Sequence, residues 1–407
     1  MRRSKLPRMD KPIFDLGRLL EPIERGGFFE RYWEREVLHL SRPDVSYYDD
    51  VLSVRDLEQL IESPLARYPA IQLSKGGAYF PPEVYSEDLK SGTSTFTGVP
   101  DVQKIAAEYR AGATVVLPAL HRFWAPLRNL CAGIEQEFDH VVHANAYLTP
   151  GNTSGFTPHY DTHEVLVLQL AGTKHWRIYE PPVVLPHRRQ PFNPVGYSLP
   201  SKPLLEVDLR PGDLLYLPRG HVHTTTTSAS YSAHVTIGIA VYTWLDLAGE
   251  LLQAGMTSGR LRQALPPGFA HRPELLPALK EELEGALDEL RDSAPAERLI
   301  EMLVARVRSG KVAERGAFRA DVVVIVADTS LECPASTDFR IGRQGTKATL
   351  EFQQRRLVLP GEALPALEFM RTKRTFRAGD LPGTLDIESK LTLLRLLHER
   401  DFLVVAV

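Results

Sequence analysis

The chain has 407 residues, which is enough for two or three domains of about 100–200 residues each. Hydrophobic residues make up 43% of it and charged residues 24%, a balance that is typical of globular proteins and excludes a disordered or fibrous chain. The formal net charge of -3 excludes a strongly basic protein that would bind nucleic acids through its overall charge.

The two cysteines, Cys131 and Cys333, lie too far apart in the sequence to form a metal-binding motif. So few cysteines are typical of the reducing cytoplasm, where disulfides are rare, and we therefore expect a cytoplasmic protein. No apolar run approaches the ~20 residues of a membrane-spanning helix. The basic start, MRRSKLPRMD, has no apolar stretch after it, so we expect a lead-in and not a secretory signal peptide.

The N-terminal part, residues 12–70, has a mixed and largely helical pattern. The aromatic run at 28–33 (FFERYW) predicts a helix, and 37–40 (VLHL) predicts a short strand. Ser53 begins a stretch with the pattern of a capped helix start. Gly, Ser and Thr dominate 91–98, which predicts a loop, either an ordinary surface loop or one that closes over a site.

The middle of the chain changes from helical to strand-like patterns. Residues 102–110 and 123–138 have helical periodicity, and a short extended run lies between them at 113–118. From 141 to 243, short apolar or alternating runs are separated by Gly and Pro turns, which predicts a β-sandwich or barrel. The Pro-rich stretch 181–200 is either a substrate-facing insertion or merely a long connection.

The C-terminal part again mixes patterns. Residues 279–291 and 296–308 repeat apolar side chains at helical spacing, which predicts amphipathic helices. Strand and helix patterns alternate from 317 to the end. Residues 321–407 contain 12 Lys and Arg and 12 Asp and Glu, so this part lacks the basic surplus that is expected of a nucleic-acid reader.

A candidate metal site lies in two stretches, 145–177 and 211–238. His159 and Asp161 are two residues apart, and on a strand such residues point to the same face and could reach one ion. A second strand would supply the other imidazole, His223, after a turn at Pro218-Arg219-Gly220. Two histidines and one carboxylate form the facial triad of non-haem Fe(II) oxygenases, but zinc accepts the same ligands, so ligand type alone does not decide the metal.

The surroundings of this motif distinguish it from ordinary surface polarity, which is the usual meaning of an isolated His-x-Asp. A buried-type strand at 165–170 (VLVLQL) follows it, and a predicted turn at 171–173 (AGT) comes next. Lys174 comes directly after that turn. It would supply a cation for a cosubstrate that carries a carboxylate.

These motifs together resemble the cupin-like JmjC proteins that are related to the ribosomal oxygenases. The matching stretches are NAYLTP at 145–150, HYDTHEVLVLQLAGTKHWRIYEP at 159–181, PGDLLYLPRGHVH at 211–223 and SAHVTIG at 232–238. Weaker matches are FFERYW at 28–33 and LPGTLDIESKLTLLRLLHERDFL at 381–403, so the resemblance spans nearly the whole chain. It implies an Fe(II)- and 2-oxoglutarate-dependent dioxygenase that uses O2.

The resemblance also implies an α+β architecture with three parts. Residues 1–243 would form a catalytic domain whose core is a double-stranded β-helix of the cupin/JmjC type, with helical elements at its N-terminal side. Residues 244–316 would form a helical dimerisation domain, for which a bundle within the monomer is the alternative. Residues 317–407 would form a winged-helix-like domain, for which we expect a scaffolding role and no direct nucleic-acid contact.

The family's functional positions fall on particular residues of this chain. The metal ligands, which also carry the catalysis, are implied to be His159, Asp161 and His223. The cosubstrate contacts are implied to be Lys174, Asn145, Tyr147, Thr149 and Ser232. His223 is preferred to His221 because the family pattern is Pro-x-Gly-x-x-His. His163 shares a strand face with the first two ligands, and it is either a contact near the metal or a solvated strand-end histidine.

The resemblance implies that the substrate is a protein side chain, that of a ribosomal protein being the first candidate, and that the enzyme is a homodimer without a membrane partner. Two alternatives remain open from the sequence. One is an oxygenase that tailors a small peptide or natural product, and the other is a non-catalytic cupin-like binding protein. The sequence does not distinguish a hydroxylated from a demethylated product.

Overall fold

The structure, a computed structural model, describes residues 14–63, 66–309, 325–333, 339–352, 355–400 and 402–406. It divides into two compact units, Met1–Thr243 and Trp244–Val407. The expected lead-in lies outside the described residues. So do residues 310–324, which include the boundary between the predicted helical and winged-helix-like domains. The predicted three-domain division therefore stays a prediction.

The first unit contains five α-helices and eleven strands in its described part. The helices are α1 (Leu16–Leu20), α2 (Arg25–Arg31), α3 (Val54–Glu62), α4 (Val102–Arg110) and α5 (Ala125–Phe138). The strands are β1 (Leu38–Leu40), β2 (Gln72–Lys75), β3 (Ala78–Tyr79), β4 (Ser86–Ser91), β5 (Ser94–Pro100), β6 (Thr114–Leu117), β7 (Val141–Thr149), β8 (Glu164–Tyr179), β9 (Leu205–Leu209), β10 (Leu214–Leu217) and β11 (Val222–Ala240).

Nine of these strands form one sheet in the order β1-β10-β8-β11-β7-β6-β2-β3, with β9 also paired to β8. Every pair in it is antiparallel. Strands β4 and β5 form a separate hairpin. The predicted α+β class is confirmed, and the sheet of the first unit is a multi-strand antiparallel sheet.

The two longest strands, β8 and β11, pair with each other along most of their length. The turn predicted at 171–173 was wrong, because β8 runs through these residues without leaving the sheet. Gly172 has a φ of +62°, and a Cβ built there would come within 1.7 Å of the Tyr231 carbonyl oxygen. A glycine with positive φ opposite a register shift lets the strand bend locally, so the Gly signal marked an irregularity and not a turn.

The first half of β8 is buried on both of its faces. Leu166 and Leu168 of β8 pack into the main core, which also contains Leu130 and Ile134 of α5. Val165 and Val167 point the other way, into a smaller core around Trp176, Ile178, Leu215 and Leu217. Because side chains alternate along a strand, β8 separates the helix-covered core from the interior that contains the candidate site.

Two local predictions in this unit had opposite outcomes. The capped helix start is confirmed, since Ser53 accepts from the Asp56 amide at 3.2 Å and the Ser53 amide donates to the Asp56 carboxylate at 2.9 Å. The loop predicted at 91–98 was wrong, because most of it belongs to the hairpin of β4 and β5. That hairpin is largely exposed, so its strands lack the apolar alternation by which a sequence reveals them.

The second unit contains the remaining elements. Its helices are α6 (Trp244–Gly255), α7 (Leu276–Asp292), α8 (Ala296–Ser309), α9 (Leu364–Thr372) and α10 (Ile387–Glu399). Its strands are β12 (Leu331–Glu332), β13 (Phe339–Gln344), β14 (Lys347–Phe352), β15 (Arg355–Pro360), β16 (Thr375–Phe376) and β17 (Val404–Val405). The predicted amphipathic helices and the mixture of strands and helices after them are both present in the described part.

The two halves of this unit differ in how much apolar surface they bury. Helix α6 packs against α7 and α8, yet Leu276, Leu283 and Leu287 of α7 are each more than half exposed. The part from 325 onwards has its own core, which includes Leu350, Leu367, Met370, Leu394 and Phe402. Across the described residues, no helix is both long and apolar enough to cross a membrane.

Candidate metal and cosubstrate site

The two histidines of the candidate triad are brought together by a single backbone pairing. An isolated bridge joins His159 to His223, in which the His223 amide donates to the His159 carbonyl at 2.9 Å. The imidazole rings lie 4.4 Å apart between centroids. The structure therefore places His159, which precedes β8, beside the second residue of β11.

His159 and Asp161 do not lie on a regular strand, so the strand predicted for them was wrong. They belong to an irregular segment between β7 and β8. Pro158 has no amide to donate to a neighbouring strand, which limits regular pairing there. The Asp161 carbonyl instead accepts from the Gly220 amide at 3.0 Å, in the turn before His223.

The three side chains of the triad converge. One candidate ligand atom from each of His159, Asp161 and His223 lies within 4.8 Å of the others, and no other group of three or more such residues was found in the described chain. The His223 Nε2 atom is 3.8 Å from an Asp161 carboxylate oxygen. Two imidazole nitrogens and one carboxylate oxygen form the donor set of a facial triad.

Backbone carbonyls hold both imidazole rings by the nitrogen that faces away from this centre. The Nδ1 atom of His159 is 2.7 Å from the Thr157 carbonyl, and that of His223 is 3.1 Å from the His221 carbonyl. A carbonyl can only accept, so Nδ1 carries the proton in each ring. The Nε2 lone pair is then available for a metal ion, as in most protein histidine sites.

The electrostatics favour the protonation states that metal ligands need. Burial raises the pKa of Asp161, but the neighbouring histidines, His163 first among them, more than offset this and hold the pKa below its ordinary value. Burial, aided by His159, lowers the pKa of His223 to about 4. At neutral pH the structure thus presents an ionised carboxylate and a neutral imidazole at His223.

The two competing histidines have different positions. His221 is outside the group, and its Nδ1 atom is 3.0 Å from the Pro218 carbonyl. His163 lines the cavity described below, and its ring meets that of His143 edge-on at 4.8 Å. Gly238 leaves room for both rings, since a Cβ there would come within 2.7 Å of each. The His163 ring therefore forms part of the cavity wall beside Asp161.

A cavity of about 230 Å³ extends from the triad to Lys174. Lys174 is 4% exposed, and its Nζ atom is 3.5 Å from the Thr149 hydroxyl. Burial lowers the pKa of its ammonium to about 7. No ion pair to Lys174 is found among the residues that the structure describes. A buried cation without an anionic partner is costly, so this end of the cavity suits an anionic ligand.

The other predicted cosubstrate contacts are divided between two environments. Asn145, Tyr147 and Thr149 alternate along β7 and all line the cavity. The Asn145 side-chain oxygen accepts from the Ala119 amide at 2.9 Å, which fixes its orientation. Ser232 is not in the lining. It is fully buried, and its hydroxyl accepts from the Gln169 side-chain amide at 2.9 Å at the irregular pairing of β8 and β11.

Several residues of the cavity were missed by the sequence reasoning. The aromatic members are Tyr79, Phe156, Trp176 and His234. Trp176 could have been found from strand alternation, because it lies two residues from Lys174 on β8. His234 could not, because a register shift separates it from Ser232 on β11. Tyr79 and Phe156 lie in a two-residue strand and an irregular segment, where no periodic signal exists.

Comparison with known proteins gives sequence relatives for this chain. Residues 122–247 match the model of the JmjC domain. The bifunctional lysine-specific demethylase and histidyl-hydroxylase NO66 of Drosophila grimshawi is 32% identical over 276 residues, which cover 65% of this chain and 36% of that protein. Ribosomal oxygenase 2 of Mus musculus is 30% identical over 298 residues, 70% of this chain and 61% of that protein. The chain thus spans less than two thirds of the length of these curated relatives.

A solved structure is similar to this chain in fold. The crystal structure of the Escherichia coli ribosomal oxygenase YcfD matches with a TM-score of 0.51 at 15% identity, over 94% of this chain and 98% of that chain. At such low identity the match establishes the fold alone. The α+β, cupin-like fold with its antiparallel sheet is similar to the fold of that protein.

Proposed function

We propose that the chain is an Fe(II)- and 2-oxoglutarate-dependent oxygenase that hydroxylates a protein side chain, because residues 122–247 match the JmjC domain and ribosomal oxygenases are among its sequence relatives. One observation carries this proposal. A two-histidine, one-carboxylate group and a buried cation without an ion pair among the described residues line the same cavity. The metal ligands alone would suit zinc equally well, and Lys174 adds the site for an acidic cosubstrate.

The side chains of the triad provide donor atoms that suit Fe(II). His159, Asp161 and His223 would hold Fe(II) through the two Nε2 atoms and a carboxylate oxygen. When bound, the iron and its cosubstrate would supply the oxidising chemistry that inserts one oxygen atom of O2 into a C–H bond, while 2-oxoglutarate is converted to succinate and CO2. The carbonyls of Thr157 and His221 would keep both rings in the ligating tautomer.

The chain's own residues would bind and orient the cosubstrate. Lys174 would pair with the carboxylate of 2-oxoglutarate that lies far from the metal, because an ion pair is strong where water is excluded. Thr149 lies beside Lys174 and would contribute a hydroxyl to the same end. Asn145 and Tyr147 would contact the cosubstrate between the two ends. Trp176, which is 4% exposed, would keep water out of the interior.

The finer architecture and partners belong to the same proposal. We expect the sheet of the first unit to be a double-stranded β-helix with the metal at its mouth. The exposed leucines of α7 support a homodimer formed through the helical segment, since a two-fold interface needs a self-complementary apolar surface. The substrate would be a ribosomal protein in the cytoplasm, by analogy with relatives named ribosomal oxygenases, and the winged-helix-like part would act as a scaffold.

Two measurements test the proposal. The purified chain, loaded anaerobically with Fe(II) and then exposed to O2, should convert 2-oxoglutarate to succinate, and it should do so faster when its protein substrate is added. Mass spectrometry of ribosomal proteins from cells with and without the gene should find a peptide that is heavier by one oxygen atom only when the gene is present. Tight Zn(II) binding with no effect of 2-oxoglutarate on any metal-loaded form would contradict the proposal.

A further inference from the structure

Arg219 lies in the turn between β10 and β11, and its side chain is 5% exposed. Its Nη1 atom is 2.7 Å from a carboxylate oxygen of Glu164, which is the first residue of β8 and is fully buried. The same nitrogen donates to the carboxylate of Glu34, in the segment between α2 and β1. One guanidinium therefore links three stretches of the chain that are far apart in the sequence.

The hydroxyl of Tyr216 completes this buried cluster. It donates to the second oxygen of Glu164, and it accepts from the Glu34 amide at 2.9 Å. Burial raises the pKa of Glu164, although Tyr216 and Arg219 both oppose this rise. Because apolar side chains of similar size often stabilise a core as well as a buried ion pair does, stability alone does not account for this cluster.

The ion pair lies where the two ligand-bearing segments of the candidate triad meet. Glu164 follows Asp161 by three residues, and Arg219 precedes His223 by four. Between the ion pair and the triad, the Gly220 amide donates to the Asp161 carbonyl at 3.0 Å. The ion pair and this hydrogen bond therefore hold the turn before β11 against the segment that leads into β8.

The same turn orients one ring of the triad. The His221 carbonyl, two residues after Arg219, is 3.1 Å from the Nδ1 atom of His223. A displacement of Arg219 would therefore also move the carbonyl that aims the His223 imidazole. Contacts of this kind affect metal affinity, because they fix the direction in which a ligand points.

We propose that Arg219 is a positioning residue for the metal centre. Its ion pair with Glu164 holds Asp161 and His223 at the separation that lets both side chains reach one ion. Neither Arg219 nor Glu164 lines the cavity, so the pair acts on the metal through the segments that it joins. This inference rests on the metal ligands of the proposed function.

The test is titration of the full chain with Co(II) under anaerobic conditions, with the Co(II) absorption spectrum as a second readout. Arg219→Met should weaken Co(II) binding about ten- to a hundredfold, the effect that is typical of losing a contact that orients a metal ligand. It should also lower the unfolding temperature, because the Glu164 carboxylate is left buried without its guanidinium.

The double variant that combines Arg219→Met with Glu164→Gln separates positioning from stability. It removes one positive and one negative charge, so the summed charge near the metal does not change. It should unfold at a higher temperature than Arg219→Met, because no buried carboxylate has lost its ion pair. We expect its Co(II) affinity to stay about ten- to a hundredfold below that of the unaltered chain, with a changed spectrum, since the link between the segments is still missing.

A merely structural role predicts that Co(II) affinity and spectrum recover together with the stability in the double variant, and that result would overturn the inference. If Arg219→Met does not fold, the double variant supplies the comparison. If neither folds, Arg219→Lys replaces them, because its compact ammonium keeps the charge but not the planar fork of the guanidinium. It should bind Co(II) several-fold more weakly, and unchanged affinity and spectrum would again overturn the inference.

The matched control is Arg42→Met. The Arg42 guanidinium donates to the carbonyls of Leu19 and Gly212, at 2.7 and 3.1 Å, so it also links separate segments of the first unit. Gly212 precedes β10, whereas Arg219 follows it, so this link lies at the opposite end of that strand. Arg42→Met should lower the unfolding temperature but leave the Co(II) affinity within about twofold of the unaltered value.

The experiment also distinguishes this inference from the proposed function. If the unaltered chain does not bind Co(II), or if His223→Ala binds it equally well, the triad is not the metal site and both proposals fall. If the triad binds Co(II) and the double variant binds it as tightly as the unaltered chain, only the role of Arg219 is wrong. If the Fe(II)-loaded chain does not convert 2-oxoglutarate, the proposed function falls, whereas the Co(II) titrations still decide the role of Arg219.

Discussion

The two ends of the cavity differ in how their polar groups are satisfied. At the metal end, formed by His159, Asp161 and His223, backbone carbonyls hold both imidazole rings by Nδ1. At the far end, formed by Thr149, Lys174 and His234, the ammonium has no ion pair in the described part of the chain and a buried imidazole nitrogen has no partner there. The imidazole rings at the metal end are thus held by the chain itself, whereas the ammonium at the far end lacks an anionic partner in the described part of the chain.

The largest expected effect on activity comes from replacing any one of the three residues at the metal end of the cavity. His159→Ala, Asp161→Ala or His223→Ala should each reduce 2-oxoglutarate turnover below detection, because every one removes a proposed metal ligand. Succinate formation is the measurement, and thermal unfolding should show that each variant is folded.

The matched control for this set is His221→Ala, since His221 is a neighbouring buried histidine that lies outside the triad. It should keep most of the activity. Loss of activity in His221→Ala together with normal activity in His223→Ala would show that the ligand assignment is wrong.

The next effect comes from the far end. Lys174→Met should weaken 2-oxoglutarate binding on the order of a hundredfold, because it removes the proposed charged partner of a desolvated carboxylate. Metal affinity should stay nearly constant, since the metal end is held by other groups. The ligand-free variant should unfold at a higher temperature than the unaltered chain, because a buried charge without an ion pair is removed. Equal 2-oxoglutarate affinity in the two proteins would remove Lys174 from the site.

The sequence predicted the chemically important side chains of the site better than it predicted the backbone around them. His159, Asp161, His223 and Lys174 could be proposed from residue type and spacing, because metal and carboxylate chemistry needs particular side chains. The local structure around them could not, since the single bridge between His159 and His223 and the bend at Gly172 depend on which strands meet. These pairings are long-range, and no local pattern in one sequence encodes them.

The same limit explains why the sequence could not distinguish the roles of Ser232 and His234. Ser232 and His234 both lie on β11, and alternation alone gives them the same face. The register shifts in the pairing of β8 with β11 decide which of them lines the cavity. His234 was therefore missed, while Ser232 was proposed as a contact from the resemblance alone.

The pH dependence of 2-oxoglutarate binding gives a further test of the far end of the cavity. The ligand-free pKa of Lys174 is lowered to about 7, and an anionic ligand needs the charged form. Affinity for 2-oxoglutarate should be flat below pH 7 and should fall about tenfold per pH unit above it. Calorimetry in buffers with different ionisation enthalpies should then detect proton uptake on binding at pH 8.

The stability of the ligand-free protein should change with pH in the opposite direction to its affinity for 2-oxoglutarate. In the unfolded chain the ordinary lysine pKa is 10.5, so between about pH 7 and 10.5 the unfolded state binds more protons at this group, and the ligand-free protein gains stability as pH rises. Lys174→Arg is the control, because its guanidinium stays charged and should remove both pH effects. A 2-oxoglutarate affinity that does not change between pH 7 and 9 in the unaltered chain would contradict the assigned role.

A change in the second unit should leave both ends of the cavity intact. Leu283 of α7 is 58% exposed, and Leu283→Glu should convert the expected dimer to a monomer of 45.6 kDa by light scattering. Affinity for 2-oxoglutarate should stay within about twofold, while activity on the protein substrate should fall if the dimer frames the substrate groove. Val195→Glu, at an exposed position in the first unit, should stay dimeric. A monomer mass for the unaltered chain at micromolar concentration would contradict the dimer.

The smallest expected effect on binding is at Ser232, which lies next to the far end without lining it. Ser232→Ala should change the 2-oxoglutarate affinity by less than about twofold, because the hydroxyl accepts from Gln169 and not from a ligand. The variant should instead lose about 1 kcal/mol of unfolding free energy, since the buried Gln169 amide loses one of its acceptors. Urea denaturation and calorimetry on the same preparation separate these two outcomes. A tenfold loss of 2-oxoglutarate affinity with unchanged stability would place Ser232 in the cosubstrate site after all, and the far end would then extend across the irregular pairing of β8 and β11.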